Sequence, residues 1–488
     1  MKQAATWALF SIALVSLVGS RPAEAQQEAV KGPPTDTAAW DLARYAVDLK
    51  YENLPADVIA ITKRRILDAL ACALGASTSK PMSILRDAIL SEGGKPESTL
   101  IGSGQKTSAV NAAMVNGSLI RYLDFNDTYW SKGYMHPSNS IAEALAVAER
   151  QHASGKDLIV ATVLAYEIQS RMADTFTLPG FEQHSGGGFT APLVAGKLLG
   201  MNAEQIANAV GLGASHNFAL AGDYGIGYVS NMKAFGYAAG SGSGVLAALL
   251  AQKGFTGPVT IIESYQRTFE KNASLTSLVA PRTDYAIVKA VMKPFEADHF
   301  ALAPITGAIQ LVKEHSIKPD QISKIFIKGL PDRRTTPAPR RITELTLTKE
   351  DADHNIPYML AMGIIDGTVG PAQYAAEQWK DPKVQELMGK MEFQGDAELT
   401  KGFPERLTSI VEITTKENRV YTQRVDLPKG VPGNPLTDQE LEAKFNGLVL
   451  KLMPKSQADQ IIKTVHDLDK LTDIAGLTKL LVAPKSTQ

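Results

Sequence analysis

The 488-residue sequence predicts a mainly α fold, in which a large all-helical domain carries an inserted smaller α+β domain. Two observations lead to this prediction. Apolar residues recur at helical spacing from about residue 37 to residue 253 and again from 437 to 481. Between these regions, segments alternate between apolar and polar residues as strands do. We therefore predict that residues 37–290 and 435–488 form the helical domain and that residues 291–434 are inserted into it.

The N-terminal residues have the organisation of a cleavable secretory signal peptide, which we assign to residues 1–25. Lys2 supplies a positive charge, residues 7–18 form an apolar stretch, and residues 23–25 provide the small residues of a cleavage site. The stretch is too short to span a bilayer comfortably, although an uncleaved anchor is the alternative. Residues 26–36 are polar and contain prolines, which predicts a flexible mature N-terminus. We expect a periplasmic or secreted protein.

The candidate helices of the first region carry apolar residues three and four positions apart. They cover residues 39–49, 56–74, 81–91, 108–122, 140–152, 156–173, 190–199, 203–212 and 233–252. Pro55 precedes the second helix, and Asn202 with Gln205 resembles a capped helix start. The glycine-rich run at 238–244 predicts a close-packing helix surface, because no Lys-Ser/Thr pair follows it as in a phosphate-binding loop.

The inserted region has the signals of a mixed α+β structure. Strands are predicted at 323–330, 409–415 and 419–425, and helices at 357–366 and 371–378. A basic, proline-containing loop at 333–341 could gather an anionic substrate, although a solvated charged loop is the simpler interpretation.

Composition limits the classes of function. The formal net charge is -1, so the large basic footprint of a nucleic-acid-binding protein is not expected. Beyond the N-terminal stretch we find no long hydrophobic span, which argues against a membrane protein. Cys72 is the single cysteine and lies in an apolar helical run, where a free thiol behaves as a small buried hydrophobe.

The densest cluster of polar and aromatic residues lies at 122–130 and 136–139, between two alanine-rich helices. Such residues are not needed for core packing, and loops held by a rigid helical frame often carry catalytic groups. A metal site is the alternative, because Asp124, Asp127 and His136 could act as ligands. Their spacing matches no closed zinc pattern, so we predict no metal.

At this cluster the sequence resembles the MmgE/PrpD family, whose members include 2-methylcitrate dehydratases, cis-aconitate decarboxylases and iminodisuccinate epimerases. The resemblance rests on the LDF-x-D-T stretch at 123–128, which leads to the His-Pro pair at 136–137. Further similar segments lie at 63–71, 231–236, 293–295 and 353–361. The resemblance extends over nearly the whole mature chain. It implies a helical domain with an α+β lid, often assembled as a homodimer, and chemistry without a cofactor.

The resemblance also implies the site residues. By position, the family's active-site residues fall on Asp124, Thr128, His136, His184, Lys233, Lys293 and Tyr358. We predict His136, Asp124, His184 and Tyr358 as catalytic residues, because imidazole, carboxyl and phenol groups can move or hold protons. Thr128 and the two lysines are predicted to bind substrate, since ammonium groups attract carboxylates.

Three of these assignments have a structural alternative. His184 precedes three glycines and could belong to a flexible turn, Lys233 could be a solvated helix-start lysine, and Tyr358 could be a core tyrosine.

The segment after Lys293 departs from the family pattern. Many relatives have histidine or cysteine there, whereas this sequence has residues 296–299 (EADH), with Asp298 where some decarboxylases have histidine. This departure argues against cis-aconitate decarboxylation. We therefore expect a cofactor-independent lyase that acts on a small polycarboxylate, most similar to 2-methylcitrate dehydratase, with His136 as the leading acid/base. An epimerase, a decarboxylase and a non-catalytic exported polycarboxylate-binding protein are the alternatives.

Overall fold

Helices account for most of the structure, which confirms the predicted mainly α fold. The computed structural model describes residues 32–221, 229–281, 284–329, 348–375 and 377–484. The predicted signal peptide, the first part of the predicted flexible N-terminus and the basic loop at 333–341 lie outside the described residues.

The elements follow one another in this order. The helices before residue 290 are α1 Ala38–Asp48, α2 Ala56–Ala76, α3 Lys80–Ser91, α4 Ala109–Tyr122, α5 Ile141–Arg150, α6 Gly155–Thr175, α7 Gly186–Leu198, α8 Ala203–Ala214, α9 Met232–Gln252, α10 Ile261–Phe269 and α11 Thr276–Val279. Those after it are α12 Leu302–Glu314, α13 Lys349–Ala352, α14 Ile356–Asp366, α15 Pro371–Ala375, α16 Pro382–Met388, α17 Ala397–Thr400, α18 Asp438–Val449, α19 Lys455–His466 and α20 Ala475–Thr478. The strands are β1 Ser98–Thr99, β2 Lys106–Thr107, β3 Tyr129–Trp130, β4 Tyr134–Met135, β5 Ile322–Gly329, β6 Met391–Gly395, β7 Ser409–Thr415 and β8 Val420–Val425.

The predicted helices agree with these bounds to within a few residues, except for α7 and α15. Helix α7 begins at Gly186, so the glycines after His184 are helical and do not form a flexible turn. A Cβ on Gly187 would lie 2.5 Å from the carbonyl oxygen of Tyr237, which shows that this run lets α7 approach α9 closely. Helix α15 ends early, because Glu377 adopts a positive φ of 49° and a short 3₁₀ turn follows.

The larger sheet has the strand order β6-β5-β7-β8. Strands β5, β7 and β8 pair antiparallel and confirm the three predicted strands. Strand β6 pairs parallel to β5 and was not anticipated, because its five residues do not show clear alternation of buried and exposed positions.

Two hydrophobic cores lie within residues 35–488, which cluster as one compact unit. The first core draws its residues from 38–292 and from 436–481, and the second from 291–431. Helices α18 and α19 both contact α2, so the C-terminal helices share the first core. The division into a helical domain and a lid stays a prediction.

Helix α9 corrects one expectation from the sequence. Its length and composition would allow it to cross a membrane, although we had found no such segment after the N-terminus. Within the described residues, 67% of its apolar window is buried, and it packs against α4, α7 and α8. The helix is therefore hydrophobic because it lies in the core of the helical region. Cys72 is also fully buried, as predicted.

Candidate active site

A narrow cavity lies at the loop between α4 and α5. It is lined by Arg121, Asp124, Thr128, Trp130, Tyr134, His136, Lys293, Asp298, His299 and His354. The cavity therefore brings together four of the seven predicted site residues, which are Asp124, Thr128, His136 and Lys293. Asp124, Thr128 and His136 belong to one loop, and Lys293 comes from a segment 169 residues after Asp124.

The start of the loop is shaped by the end of α4. Ser108 caps the first turn of this helix by accepting a hydrogen bond from the Asn111 amide. After Tyr122 the chain turns at Asp124, whose φ of 55° lies in the left-handed region that aspartate tolerates better than most residues. This turn brings the Asp124 carboxylate back to the Arg121 guanidinium, with which it forms a buried ion pair.

Two backbone hydrogen bonds join the loop to the segment that carries Lys293. The Thr128 amide donates to the Val291 carbonyl at 3.0 Å, and the Val291 amide donates to the Thr128 carbonyl at 2.7 Å. Lys293 follows two residues later, and its Nζ lies 3.2 Å from Oδ2 of Asp124. The same Nζ donates to the backbone oxygens of Asp124 and Ala297, at 2.9 and 2.8 Å.

These contacts set the charge state of Asp124. Burial alone would raise the pKa of this carboxyl, but Arg121 and Lys293 outweigh burial and hold the pKa well below its usual range. Asp124 is therefore ionised at neutral pH. Such a carboxylate is a weak base, so its chemistry is to hold the two cations in place.

The surroundings of His136 keep its side chain in the neutral form. Burial, together with the nearby Arg121 and Lys293 charges, holds the pKa of its imidazole well below the usual range, so the ring is neutral. Its Nδ1 lies 2.8 Å from the Asp127 carbonyl oxygen. An Nδ1–H that donates to this oxygen leaves Nε2 as a proton acceptor.

Asp127 stabilises the same loop through its carboxylate. It accepts hydrogen bonds from the Ser138 amide at 3.0 Å and the Tyr166 hydroxyl at 2.6 Å. Arg65 of α2 approaches the same carboxylate at 3.7 Å. Asp127 is therefore engaged in holding the backbone that directly follows His136.

Lys233 lies behind the cavity in a buried ionic network. Its Nζ is 2.5 Å from Oδ2 of Asp353. Nζ of Lys349 lies 2.6 Å from the same oxygen and 2.8 Å from Oε1 of Glu296. Burial lowers the pKa of Lys233 to about 8, against the opposing effect of Asp353. The ammonium group is thus paired within the protein, and Lys233 is not among the described residues that line the cavity.

His184 and Tyr358 are placed elsewhere among the described residues. The His184 ring lies against Gly236 of α9, its Nε2 has no hydrogen-bond partner among the described side chains, and burial lowers its pKa to about 3. The Tyr358 hydroxyl donates to the Gln373 carbonyl at 2.5 Å, and its ring packs on Tyr374 in the second core. The position of Tyr358 agrees with its structural alternative, a core tyrosine, whereas His184 lies in a short 3₁₀ turn that leads into α7 and not in a flexible turn.

Several cavity residues were not selected from the sequence. Arg121 could have been found from its spacing of three residues to Asp124 at the end of a helix. His354 lies in a segment that we had quoted for the family resemblance, and Asp298 and His299 lie in the departing segment. Nothing in the sequence except its place in the loop indicated a role for Trp130. Its contact with the site appears only in the structure, where its ring stacks on Tyr134 with centroids 4.7 Å apart.

Asp124, Asp353 and His354 each offer a ligand atom, and these atoms lie within 4.8 Å of one another. Both carboxylates already have cationic partners: Arg121 and Lys293 for Asp124, and two buried lysines for Asp353. These partners supply positive charge where a divalent cation would, so the group does not fit a metal site well.

Known proteins are similar to this chain over nearly its full length. It is 26% identical over 463 residues to the cis-aconitate decarboxylase of Mus musculus, which covers 89% of this chain and 91% of that protein. It is 24% identical over 484 residues to the mitochondrial 2-methylcitrate dehydratase of Yarrowia lipolytica, with coverage of 91% and 90%. It is 23% identical over 471 residues to the 2-methylcitrate dehydratase of Cupriavidus necator, with coverage of 90% and 95%.

Models of protein families match both halves of the chain. The MmgE/PrpD N-terminal domain matches residues 40–274, and the MmgE/PrpD C-terminal domain matches residues 295–470. The chain therefore belongs to the MmgE/PrpD family, as its resemblance to that family predicted.

Proposed function

We propose that the protein is a lyase that acts on a small polycarboxylate, in the manner of a 2-methylcitrate dehydratase and without a metal or other cofactor. The observation that carries this proposal is the neutral imidazole of His136, which lines a cavity together with the cations Arg121 and Lys293. The names of the relatives, which are dehydratases and decarboxylases, support the same class of reaction.

The first step is removal of a proton from a carbon beside a carboxylate. Such a proton is weakly acidic, because its loss adds a second negative charge next to the first. Arg121 and Lys293 stabilise this charge in a site from which water is largely excluded. Nε2 of His136 accepts the proton and the ring becomes an imidazolium, because the negative charges of a bound polycarboxylate offset Arg121 and Lys293 and raise the pKa of the ring.

The second step is loss of water. The electron pair left on the carbon forms a carbon–carbon double bond as the bond to the neighbouring hydroxyl breaks. An acid must protonate the departing oxygen. The candidates are His299 and His354, which line the same cavity. Asp124 takes no proton in this scheme, because its low pKa keeps it ionised.

Decarboxylation is the second candidate reaction, and it is favoured by the similarity to the mouse cis-aconitate decarboxylase. It would break a carbon–carbon bond and release carbon dioxide, with the same cations stabilising the carbanion until it takes up a proton. Asp298 lines the cavity at the position where some decarboxylases have histidine. This departure supports dehydration over decarboxylation.

The reaction can be identified by incubating the protein from residue 26 onward with 2-methylcitrate, citrate and cis-aconitate in heavy water containing EDTA. Proton NMR follows the substrates. Conversion of 2-methylcitrate to an unsaturated product is the expected result. Loss of carbon dioxide from cis-aconitate would identify a decarboxylase, and conversion of 2-methylcitrate to its other stereoisomer with incorporation of deuterium would identify an epimerase. Binding in calorimetry without exchange or conversion would contradict a lyase and favour a binding protein.

The role of His136 is tested by His136→Asn, which keeps a side-chain donor near the Asp127 carbonyl and removes the base at Nε2. We expect a loss of turnover of at least about 100-fold with the fold retained. His152→Asn is the matched control, because His152 is exposed and its φ of 51° suits asparagine. Equal turnover in the two variants would remove His136 from the mechanism.

Export and assembly belong to the same proposal. The signal-like residues 1–25 support a periplasmic or secreted location, and the family resemblance supports a homodimer. Mass spectrometry of the N-terminus after expression with the native leader tests the first, with cleavage near residue 25 expected. Light scattering on the purified protein tests the second, with twice the chain mass expected.

A further inference from the structure

A lysine of the C-terminal helix α18 contacts both chain segments that carry the buried ion pair of the cavity. Nζ of Lys444 donates to the carbonyl oxygen of Phe125 at 2.8 Å and to that of Lys293 at 3.0 Å. Phe125 directly follows Asp124 in the loop. One ammonium group therefore joins the backbone beside Asp124 to the backbone of Lys293.

Lys444 is held in this position from a third side. Its Nζ lies 2.6 Å from Oδ1 of Asp68 on α2, and it lies 3.9 Å from the centroid of the Phe125 ring. The side chain of Lys444 is only 5% exposed, and that of Asp68 is 1% exposed. Because the pair is buried, its geometry is restrained far more than that of an ion pair at the surface.

Helix α2 supplies a second support three residues earlier, on the same helical face. Arg65 donates to the carbonyl oxygens of Ile287 and Ala290 in the segment before Lys293. It also approaches the carboxylate of Asp127 in the loop at 3.7 Å. Arg65 and Asp68 both belong to the segment 63–71 that we quoted for the family resemblance, and neither lines the described cavity.

We propose that Lys444, oriented by Asp68, is a positioning residue that sets the distance between Asp124 and Lys293 at the edge of the cavity. It acts through the backbone and touches no substrate. The proposal rests on the proposed lyase function, in which Lys293 stabilises the developing charge. A displacement of about 1 Å in a group of this kind can reduce turnover about 100-fold.

The simpler alternative is that Lys444 and Asp68 only stabilise the packing of α18 on α2. The double variant Lys444→Met/Asp68→Asn separates the two roles, because it removes both charges together and leaves no buried charge unpaired. It also removes the donors to the two carbonyl oxygens. If packing were the only role, a folded double variant would turn over substrate like the wild type.

The matched control uses the other lysine that joins α2 to the C-terminal helices. Lys63 forms an ion pair with Asp469 and donates to the His466 carbonyl at 2.8 Å, at the end of α19. The control Lys63→Met/Asp469→Asn therefore removes a comparable link that does not reach the cavity segments. We expect its kcat and KM to stay within about twofold of the wild type.

The experiment compares kcat and KM of the two double variants and follows the His136 imidazole by NMR of protein with ¹⁵N-labelled histidine, assigned with His136→Asn. For Lys444→Met/Asp68→Asn we expect kcat to fall at least about 10-fold. We also expect the pKa of His136 to rise towards the usual value, because a loosened loop admits water. Unchanged kcat together with an unchanged His136 titration would overturn the proposal.

The proposal can still be tested if the wild type is inactive or if the double variant does not fold. If the wild type converts no polycarboxylate, the proposed function fails, and the His136 titration alone still decides whether Lys444 positions the loop. If the double variant does not fold, Lys444→Arg replaces it, because this change keeps the charge near Asp68 but alters the contacts with the two carbonyl oxygens. A reduced kcat and a shifted His136 titration in Lys444→Arg would support positioning, and wild-type values would contradict it.

Discussion

Asp124 and Lys293 are 169 residues apart in the sequence, yet Oδ2 of the first lies 3.2 Å from Nζ of the second. Both residues are about 1% exposed. Arg121 completes the group on the other side of the carboxylate. A single buried carboxylate thus holds two cations at the edge of the cavity.

Removal of this carboxylate is expected to destabilise the protein and to abolish turnover. Asp124→Asn would leave Arg121 and Lys293 without their shared counter-charge in a buried site. We expect a loss of about 3–5 kcal/mol in the free energy of unfolding, together with loss of turnover. Urea unfolding followed by circular dichroism measures the first.

The control for this prediction is a pair with the same residue types and spacing at the surface. Asp41 and Arg44 also lie three residues apart, but their side chains are 45% and 47% exposed. Asp41→Asn should therefore cost about 0–1 kcal/mol. Similar losses for the two variants would show that burial does not decide the strength of the Asp124 contacts.

The packing of His184 on α9 requires glycine at position 236. A Cβ on Gly236 would lie 2.3 Å from Nδ1 of the His184 ring, so Gly236→Ala must displace the ring or the helix. We expect a loss of about 1–3 kcal/mol. Gly447→Ala is the control, because this helical glycine of α18 has nothing within 4 Å of the added Cβ. It should stabilise the protein by about 0.5–1 kcal/mol, and thermal unfolding of both variants checks the opposite signs.

His184 makes the stability of the protein depend on pH. Burial lowers its folded-state pKa to about 3, whereas an unfolded chain has a histidine pKa of about 6.5. Between these values the unfolded state binds a proton that the folded state does not, so stability falls as the pH falls below about 6.5. We expect the wild type to lose about 2 kcal/mol more than His184→Gln between pH 7 and pH 5. Urea unfolding at the two pH values gives the difference, and parallel losses would contradict a buried neutral His184.

Glu143 should make the stability of the protein depend on pH in the opposite direction. Burial raises its pKa to about 7, although the Ser241 hydroxyl donates to it at 2.9 Å. Between pH 4.5 and 7 the folded state keeps a proton that the unfolded state has lost, so stability falls as the pH rises through this window. Relative to the wild type, Glu143→Gln should gain about 2 kcal/mol between pH 5 and pH 7. The exposed Glu398 provides the control, and the same gain in Glu398→Gln would refute the assignment to Glu143.

Local patterns in the sequence were sufficient to predict most helices and three strands of the larger sheet. Apolar periodicity located α2 and α4, and a capping pair marked the start of α8 at Asn202. The same patterns failed for the first turn of α7, because three successive glycines are helical there and pack closely against α8 and α9. They also failed for β6, whose pairing partner β5 lies more than sixty residues away.

The sequence by itself determined the family, the helical class and the loop that carries Asp124 and His136, because these depend on motifs and spacings within short segments. Only the tertiary structure decided which side chains face one another. It placed Arg121 and Lys293 on one carboxylate, paired Lys233 with Asp353 behind the cavity, and turned the Tyr358 hydroxyl towards a backbone carbonyl. These contacts join residues that are distant in sequence, and burial then sets their charge states, which no local pattern encodes.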